Sequence, residues 1–232
     1  MRKLLQRLAA VALPERCPAC TGPSTQGFCA GCQAELPRIE HACRICGLPS
    51  PVRHCPRQRG GWHVVAVRAP FRYAPPLDAY LHKLKFGRVR ALGRALALAA
   101  APSLAAGVDA PRGSDPLLVP VPLSRERLLE RGFDQAVEIA RALARELALP
   151  ADTAVAMRRK PIAPQSLLGA RDRRANVAGL FAVTKPSAVV GRAVIVVDDV
   201  ITTGATVNAL AAVLLTAGAI RVEAWAIART IA

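Results

Sequence analysis

Aromatic side chains make up only 4% of this chain, and few of them lie among its charges, Phe86 being the exception. A polyanion held mainly by stacking on aromatic platforms is therefore disfavoured, and any contact with nucleic acid should be mostly electrostatic. Acids are scarce too: 16 Asp and Glu face 32 Lys and Arg, for a net charge of +16. That balance favours polyanions and phosphorylated small molecules as partners. No apolar run approaches the roughly 20 residues that a membrane-spanning helix needs, so no span is expected. A secretory leader is not expected either. Met1-Arg2-Lys3 opens like one, but Gln6 and Arg7 interrupt the apolar part, and Leu4, Leu5, Leu8, Val11 and Ala12 fall at helical spacing. The segment Met1–Leu13 predicts a short amphipathic helix.

Cysteine is absent after Cys55, although seven precede it. This shift marks a boundary near residues 56–66, where Pro56, Gly60 and Gly61 read as linker. It divides the chain into residues 1–60, cysteine-rich, and 61–232, which with 52% hydrophobic residues overall can bury a full core. The cysteines form an internal repeat. Cys17-x2-Cys20-x8-Cys29-x2-Cys32 is followed by Cys43-x2-Cys46-x8-Cys55, and Gln58 stands where the register asks for an eighth cysteine. Two CxxC pairs can close a tetrahedral shell around zinc, so Cys17, Cys20, Cys29 and Cys32 form a complete candidate site. Disulfides or redox dithiols are the alternatives, and the paired motifs favour a metal and a reducing, cytosolic setting. Cys43, Cys46 and Cys55 lack a fourth thiol. They could recruit His41, His54 or His63, bind metal weakly, stay empty or pair across the two units. A closed all-thiolate shell offers substrate no position, so such a zinc is structural.

Val64, Val65, Val67 and Phe71 suggest one or two strands between Trp62 and Tyr73, and Leu77 to about Ala100 reads as helix. A loop is expected over 101–116. Leu117–Val121 reads as a short buried strand, and Pro120 and Pro122 put its end at a sheet edge or loop. Phe133, Ala136, Val137, Ala140, Leu143, Ala144 and Leu147 give the clearest amphipathic helix. Ala193–Val197 is an apolar strand, Thr206–Ala217 a helix with Gly218 at its C-terminus, and Ile220, Val222, Ala224 and Ala226 alternate as a last strand. Strand–helix–strand in so short a span requires a parallel βαβ unit.

Chemistry concentrates where that unit turns. An apolar strand ends in Asp198-Asp199, a hydroxyl- and glycine-bearing turn follows (Thr202, Thr203, Gly204, Ala205), and a helix starts at Thr206. Free N–H groups at a helix start bind anions, the threonines add donors, and Gly204 lets the backbone approach a phosphate. Acids beside a phosphate site make sense if they hold sugar hydroxyls, with Mg²⁺ nearby. The plainer alternative is a tight turn with solvated acids. Two basic clusters accompany this: Lys83, Lys85, Arg88, Arg90 and Arg94, and Arg158, Arg159, Lys160, Arg171, Arg173 and Arg174.

Val194 to Thr206 resembles the signature of type I phosphoribosyltransferases. The resemblance implies an α/β fold, a parallel sheet with helices on both faces plus a small N-terminal Cys-rich zinc module. It also implies that Asp198 and Asp199 hold a ribose diol while Thr202, Thr203, Gly204, Ala205 and Thr206 cradle its 5-phosphate. In the hypoxanthine–guanine branch an aspartate serves as general base where this chain has Thr202, so a 6-oxopurine transferase is disfavoured. A narrower resemblance rests on Val119-Pro120-Val121-Pro122, Arg131-Gly132-Phe133-Asp134-Gln135, Leu84-Lys85-Phe86, and Gln165 with Arg173-Arg174-Ala175-Asn176-Val177. With the CxxC pairs, these are similar to the ComF competence proteins. Asp134 departs from that family's asparagine, which puts a polar contact near the loop after Pro122 in doubt, and Gln58 breaks its last CxxC. This resemblance implies a cytosolic protein that binds phosphoribosyl pyrophosphate and handles single-stranded transforming DNA with the uptake machinery. It also places a pyrophosphate loop at Ser124-Arg125 and a closing flap over 158–176. An active phosphoribosyltransferase on an unidentified nitrogen base, or a ligand-sensing regulator, are the competing readings.

Overall fold

The computed structural model describes residues 15–49, 55, 61–106, 115–159 and 179–231. The helix expected over Met1–Leu13, the linker residues 56–60 and most of the 158–176 segment lie outside the described residues.

Chain order begins with a two-strand ladder, β1 (Glu15–Arg16) and β2 (Pro23–Ser24), followed by the short helix α1 (Ala30–Ala34). The central sheet is parallel throughout. β3 (Val67–Arg68) and β4 (Phe71–Arg72) both pair with one side of β9 (Arg221–Arg229), whose other side pairs with β8 (Ala193–Ile201), and β5 (Leu117–Pro120) forms the far edge. The edge position of β5 is where a strand ending in proline can sit, because the missing N–H costs the ladder nothing there.

Alternation along the strands sorts two cores. Ile195, Val197, Trp225 and Ile227 face helices α2 (Leu77–Phe86) and α3 (Ala91–Ala105), and α5 (Gln135–Leu147) packs there too. Val194, Val196, Val222, Ala224 and Ala226 face α6 (Ala205–Thr216) on the other side. α4 (Arg125–Arg131) links β5 to α5. Helices on both faces of a parallel sheet are the expected architecture. β9 differs from expectation in one respect. Only alternate residues, Ile220, Val222, Ala224 and Ala226, marked it as a strand, yet Val222 to Arg229 is buried on both faces, because β9 is central in the sheet.

The helix read over 77–100 is broken into α2 and α3. The chain turns at Gly87, where a Cβ would lie 2.8 Å from the Lys83 carbonyl oxygen, and Arg88 takes φ 55. α3 then continues past Pro102 into the segment expected as loop. An interior proline costs a helix about 3 kcal/mol, which the burial of Ala100, Ala101 and Leu104 offsets. The antiparallel pair β6 (Ala156–Arg158) and β7 (Phe181–Val183) was not foreseen, since three-residue strands show no period.

The cysteine-rich region shares the main core. Cys17, Phe28, Cys32 and Leu36 pack with Leu77, Tyr80 and Leu92, and the Phe28 and Tyr80 rings lie 5.4 Å apart. Backbone bonds extend the contact: Ile39 N to Pro70 O at 2.8 Å, Arg72 N to Pro37 O at 2.8 Å and Val67 N to Arg44 O at 2.9 Å.

Candidate ribose-phosphate site and cysteine clusters

The alternation that sorts the core also separates the two aspartates. β8 runs on to Ile201, so Asp198 and Asp199 are strand residues with side chains on opposite faces. Asp199 follows Ile195 and Val197 onto the face of α2 and α5. It is buried, and its Oδ2 takes the ammonium of Lys85 from the last turn of α2. Asp198 follows Val194 and Val196. Its Oδ1 accepts from Asp199 N at 2.9 Å. Burial, and after it the charge of Asp199, hold the Asp198 carboxyl well above the usual aspartate range.

Cations gather around this pair. On β6, burial lowers the Arg158 guanidinium, Arg127 of α4 lowers it further, and the charge of Asp198 acts in the opposite sense. Asp198 thus shares its surroundings with Arg158, while Asp199 has Lys85. A third acid stands behind. Asp134 caps α5, its Oδ1 accepting from Ala136 N at 2.9 Å and Val137 N at 3.3 Å, while its Oδ2 accepts from Leu123 N at 2.9 Å. The contact with the loop after Pro122 is therefore kept with a carboxylate in place of the family's asparagine. Burial raises the Asp134 carboxyl; the three N–H donors oppose this, and Asp199 adds to it.

The turn joins strand to helix as the residue types require. Ile201 is buried, Thr202 and Thr203 are exposed, and Gly204 begins α6 at φ 80, a conformation that glycine adopts without strain. A Cβ at Gly204 would collide with the Trp62 ring, so the position is closed to larger residues twice over. Gly204 provides no side-chain cap, and Thr203 Oγ1 accepts from Ala205 N at 3.3 Å. The first-turn N–H groups of this twelve-residue helix, with half-buried Thr206 among them, start beside the acids. The loop after β5 reaches the same end of the sheet, with Val121 N bonded to Val197 O at 2.8 Å, and Ser124 caps α4. Thus Asp198, Asp199, Thr202, Thr203, Gly204, Ala205 and Thr206 lie together at the C-terminal end of β8, the end at which open α/β sheets bind ligands. Lys85 stood in the Leu84-Lys85-Phe86 match and Arg158 in a basic run, but neither was assigned to the acids, and Arg127 carried no signal in the sequence. Trp62, Asn208 and Arg229 carried none.

The cysteines converge as two clusters, Cys17, Cys20, Cys29 and Cys32, and Cys43, Cys46 and Cys55, with all sulfurs of each within 4.8 Å of one another. A Zn–S bond of about 2.3 Å in a tetrahedron sets sulfurs about 3.8 Å apart, and Cys20 and Cys29 lie at 3.6 Å. The donor set fits zinc. Burial tends to raise the Cys17 thiol, but the N–H groups of Cys29, Cys20 and Ala19 outweigh it and bring it down to about 6. Burial and the neighbouring thiols push Cys32 up to about 12. The Cys17 thiolate is ready while Cys32 holds a proton to exchange for a cation. In the second cluster, burial carries Cys46 up to about 11, whereas N–H groups of Cys46 and Ile45 outweigh burial and lower Cys43. Among the described residues, neither His41 nor His63 joins this cluster. His54 and Gln58 lie outside them.

The double zinc ribbon domain family matches residues 8–59 and the phosphoribosyl transferase domain family residues 134–231. DNA utilization protein YhgH of Escherichia coli K12 is 33% identical, over 94% of this chain and 99% of its own length. Competence protein F of Haemophilus influenzae is 32% identical, over 92% of this chain and 96% of its own length. This chain belongs to the competence protein F family. As a competence protein F relative it pairs a zinc ribbon, whose cysteine clusters support a structural zinc, with a phosphoribosyltransferase-type sheet. Solved structures align over part of it. An allosteric regulatory enzyme of purine biosynthesis matches at TM-score 0.42 and 18% identity, over 60% of this chain and 26% of the other. A glutamine phosphoribosylpyrophosphate amidotransferase from B. subtilis matches at 0.38 and 20%, over 58% and 25%. Among the described residues no helix is long and apolar enough to cross a membrane.

Proposed function

We propose that this protein binds phosphoribosyl pyrophosphate through the Asp198–Thr206 segment and acts in the cytoplasm in the handling of single-stranded DNA taken up by the cell. The observation that carries the ligand reading is the placing of two aspartates on opposite faces of one strand end, directly before a helix start that glycine leaves uncapped. The acids suit a ribose diol with Mg²⁺ beside it, and the N–H groups and hydroxyls of Thr202, Thr203, Gly204, Ala205 and Thr206 suit the 5-phosphate. Arg127, Arg158 and Lys85 supply positive charge for a pyrophosphate. The DNA role is supported by the names of the relatives, DNA utilization protein and competence protein F. The net charge of +16 supports it too, since neutralising a phosphate backbone needs such a surplus.

Calorimetric titration with phosphoribosyl pyrophosphate and Mg²⁺ tests the first half. Binding lost in Asp198→Asn and Asp199→Asn is the expected result, and unchanged binding in both refutes the site. Repeating the titration with candidate bases while assaying pyrophosphate separates a binder from a transferase. For the second half, affinity for a single strand should fall steeply with salt and weaken in Lys83→Gln/Arg88→Gln. A flat salt response removes the DNA reading.

A further inference from the structure

Arg229, the last residue of β9, is 2% exposed and donates in two directions. Its Nε donates to the carbonyl of Cys46 at 2.9 Å, inside the second CxxC turn. Its Nη1 donates to the carbonyls of Ile201, at 2.9 Å, and of Thr202, which open the phosphate turn, and to Thr230 O at 3.2 Å. A planar guanidinium fixes the relative positions of the carbonyls that it bridges better than a flexible ammonium does. A second brace reaches the same turn from the helix side. The Asn208 side chain on α6 accepts from His63 N at 2.6 Å and donates to Gly61 O at 2.9 Å, which lays Trp62 against Gly204. The chain before the turn is therefore tied to the Cys46 carbonyl of the second cluster, and the helix after it to the backbone of Gly61 and His63. The turn of that cluster is itself seated tightly, since a Cβ at Gly47 would come within 2.8 Å of Val67 Cγ1. The first cluster is placed differently: Cys17 and Cys32 pack with Phe28, Leu36 and Tyr80 under α2 and α3.

We infer that Arg229 is a positioning residue that couples the Cys43–Cys46–Cys55 metal site to the phosphate turn, so that metal in this cluster raises affinity for a sugar 5-phosphate. The inference rests on the ribose-phosphate reading of the turn. Metal drawn onto the three sulfurs fixes the CxxC turn and the Cys46 carbonyl. Arg229 passes that constraint to the carbonyls of Ile201 and Thr202, and these set where the following N–H groups point. Coupling between two binding events is reciprocal, so bound ligand must hold the metal more tightly by the same factor, typically about 5- to 150-fold.

The test uses the whole zinc-loaded chain. Zinc release to a colorimetric chelator is followed with and without saturating phosphoribosyl pyrophosphate and Mg²⁺. Two zinc ions per chain are expected, one leaving about ten-fold more slowly when ligand is bound, the other at an unchanged rate. Cys43→Ser should remove the ligand-sensitive phase and Cys20→Ser the insensitive one. Arg229→Met should keep both ions yet lose the protection, and Arg229→Lys should not restore it, because an ammonium lacks the fork. If Arg229→Met does not fold, Asn208→Ala, on the helix surface, should cut the protection part-way. Ligand that binds without slowing either phase, or a fully loaded chain with one zinc, overturns the coupling alone. Failure of phosphoribosyl pyrophosphate to bind at all overturns the ribose-phosphate reading beneath it.

Discussion

Asp198→Asn and Asp199→Asn should shift the stability of the unliganded protein in opposite directions, although the residues are adjacent and both should be needed for ligand. Asp198 is a carboxyl that burial and the charge of Asp199 hold well above its usual range. Its folded value exceeds its unfolded value, so it favours the fold fully below the ordinary aspartate value of about 3.9. That advantage is lost as pH rises from there through the raised value. Asparagine keeps the acceptor for Asp199 N, made at 2.9 Å, and removes the charge. Relief of this kind at a functional site gives about 1 to 2 kcal/mol, or about 2 to 8 °C for a chain of this size. The gain should be larger at pH 8 than at pH 5.5. Asp199, by contrast, holds the Lys85 ammonium, and its side chain is only 7% exposed against 22% for the lysine. Neutralising it leaves a partly buried cation without this partner, at a cost of about 1 to 3 kcal/mol. Thermal melts of the two variants in Mg²⁺-free buffer decide the matter. If Asp198→Asn lowers the melting temperature, or its gain does not shrink in acid, the account of the acid pair is wrong.

Gly204→Ala should cost about 2 to 4 kcal/mol, from the left-handed backbone and the collision with Trp62, and should abolish ligand binding. Adding Trp62→Leu should recover the steric part of the melting temperature and none of the binding. Asp134→Ala should cost about 1 to 2 kcal/mol in denaturant unfolding, because the cap of α5 and the acceptor for Leu123 N are lost together. Asp134→Asn, which keeps an acceptor for Ala136 N, should cost less than the alanine. Stripping zinc with a strong chelator should lower stability by at least about 3 kcal/mol, read as a fall of about 6 to 12 °C, because Cys17 and Cys32 lie in the main core. An unchanged melt after verified zinc loss would contradict a structural metal.

The parts of this fold written in local residue order were legible. The CxxC spacing gave the two clusters, and Phe133 to Leu147 gave α5 almost to the residue. The run Ala193–Thr206 gave strand, acids, turn and helix in order, though β8 extends through both acids to Ile201. What was not legible depends on distant partners. Gly87 looks harmless in a helical stripe until the Lys83 carbonyl is seen to leave room for nothing larger. Lys85 belongs to a basic run that also includes exposed Lys83, and only the packing of α2 turns one toward Asp199. Arg229 and Asn208 bond across more than a hundred residues of sequence, to Cys46 and to Gly61 and His63, and no periodicity encodes such contacts.

The unliganded charge arrangement bears on how a ligand must arrive. Three acids, Asp134, Asp198 and Asp199, share one end of the sheet with Lys85, Arg127 and Arg158. Each acid has a different neighbour of opposite polarity, although Asp199 acts on both of the others: backbone N–H groups for Asp134, an ammonium for Asp199, and Arg158 near Asp198. Burial disfavours the Asp198 carboxylate as an anion, and Asp198 therefore gains from a diol or a divalent cation. Asp199 already has its cation, so a sugar hydroxyl there must share the carboxylate with Lys85 or displace it. Ligand binding should accordingly restore to Asp198 what burial costs it. On this account Mg²⁺ alone should stabilise the wild type more than the Asp198→Asn variant, a difference that a melt with and without the cation reads directly.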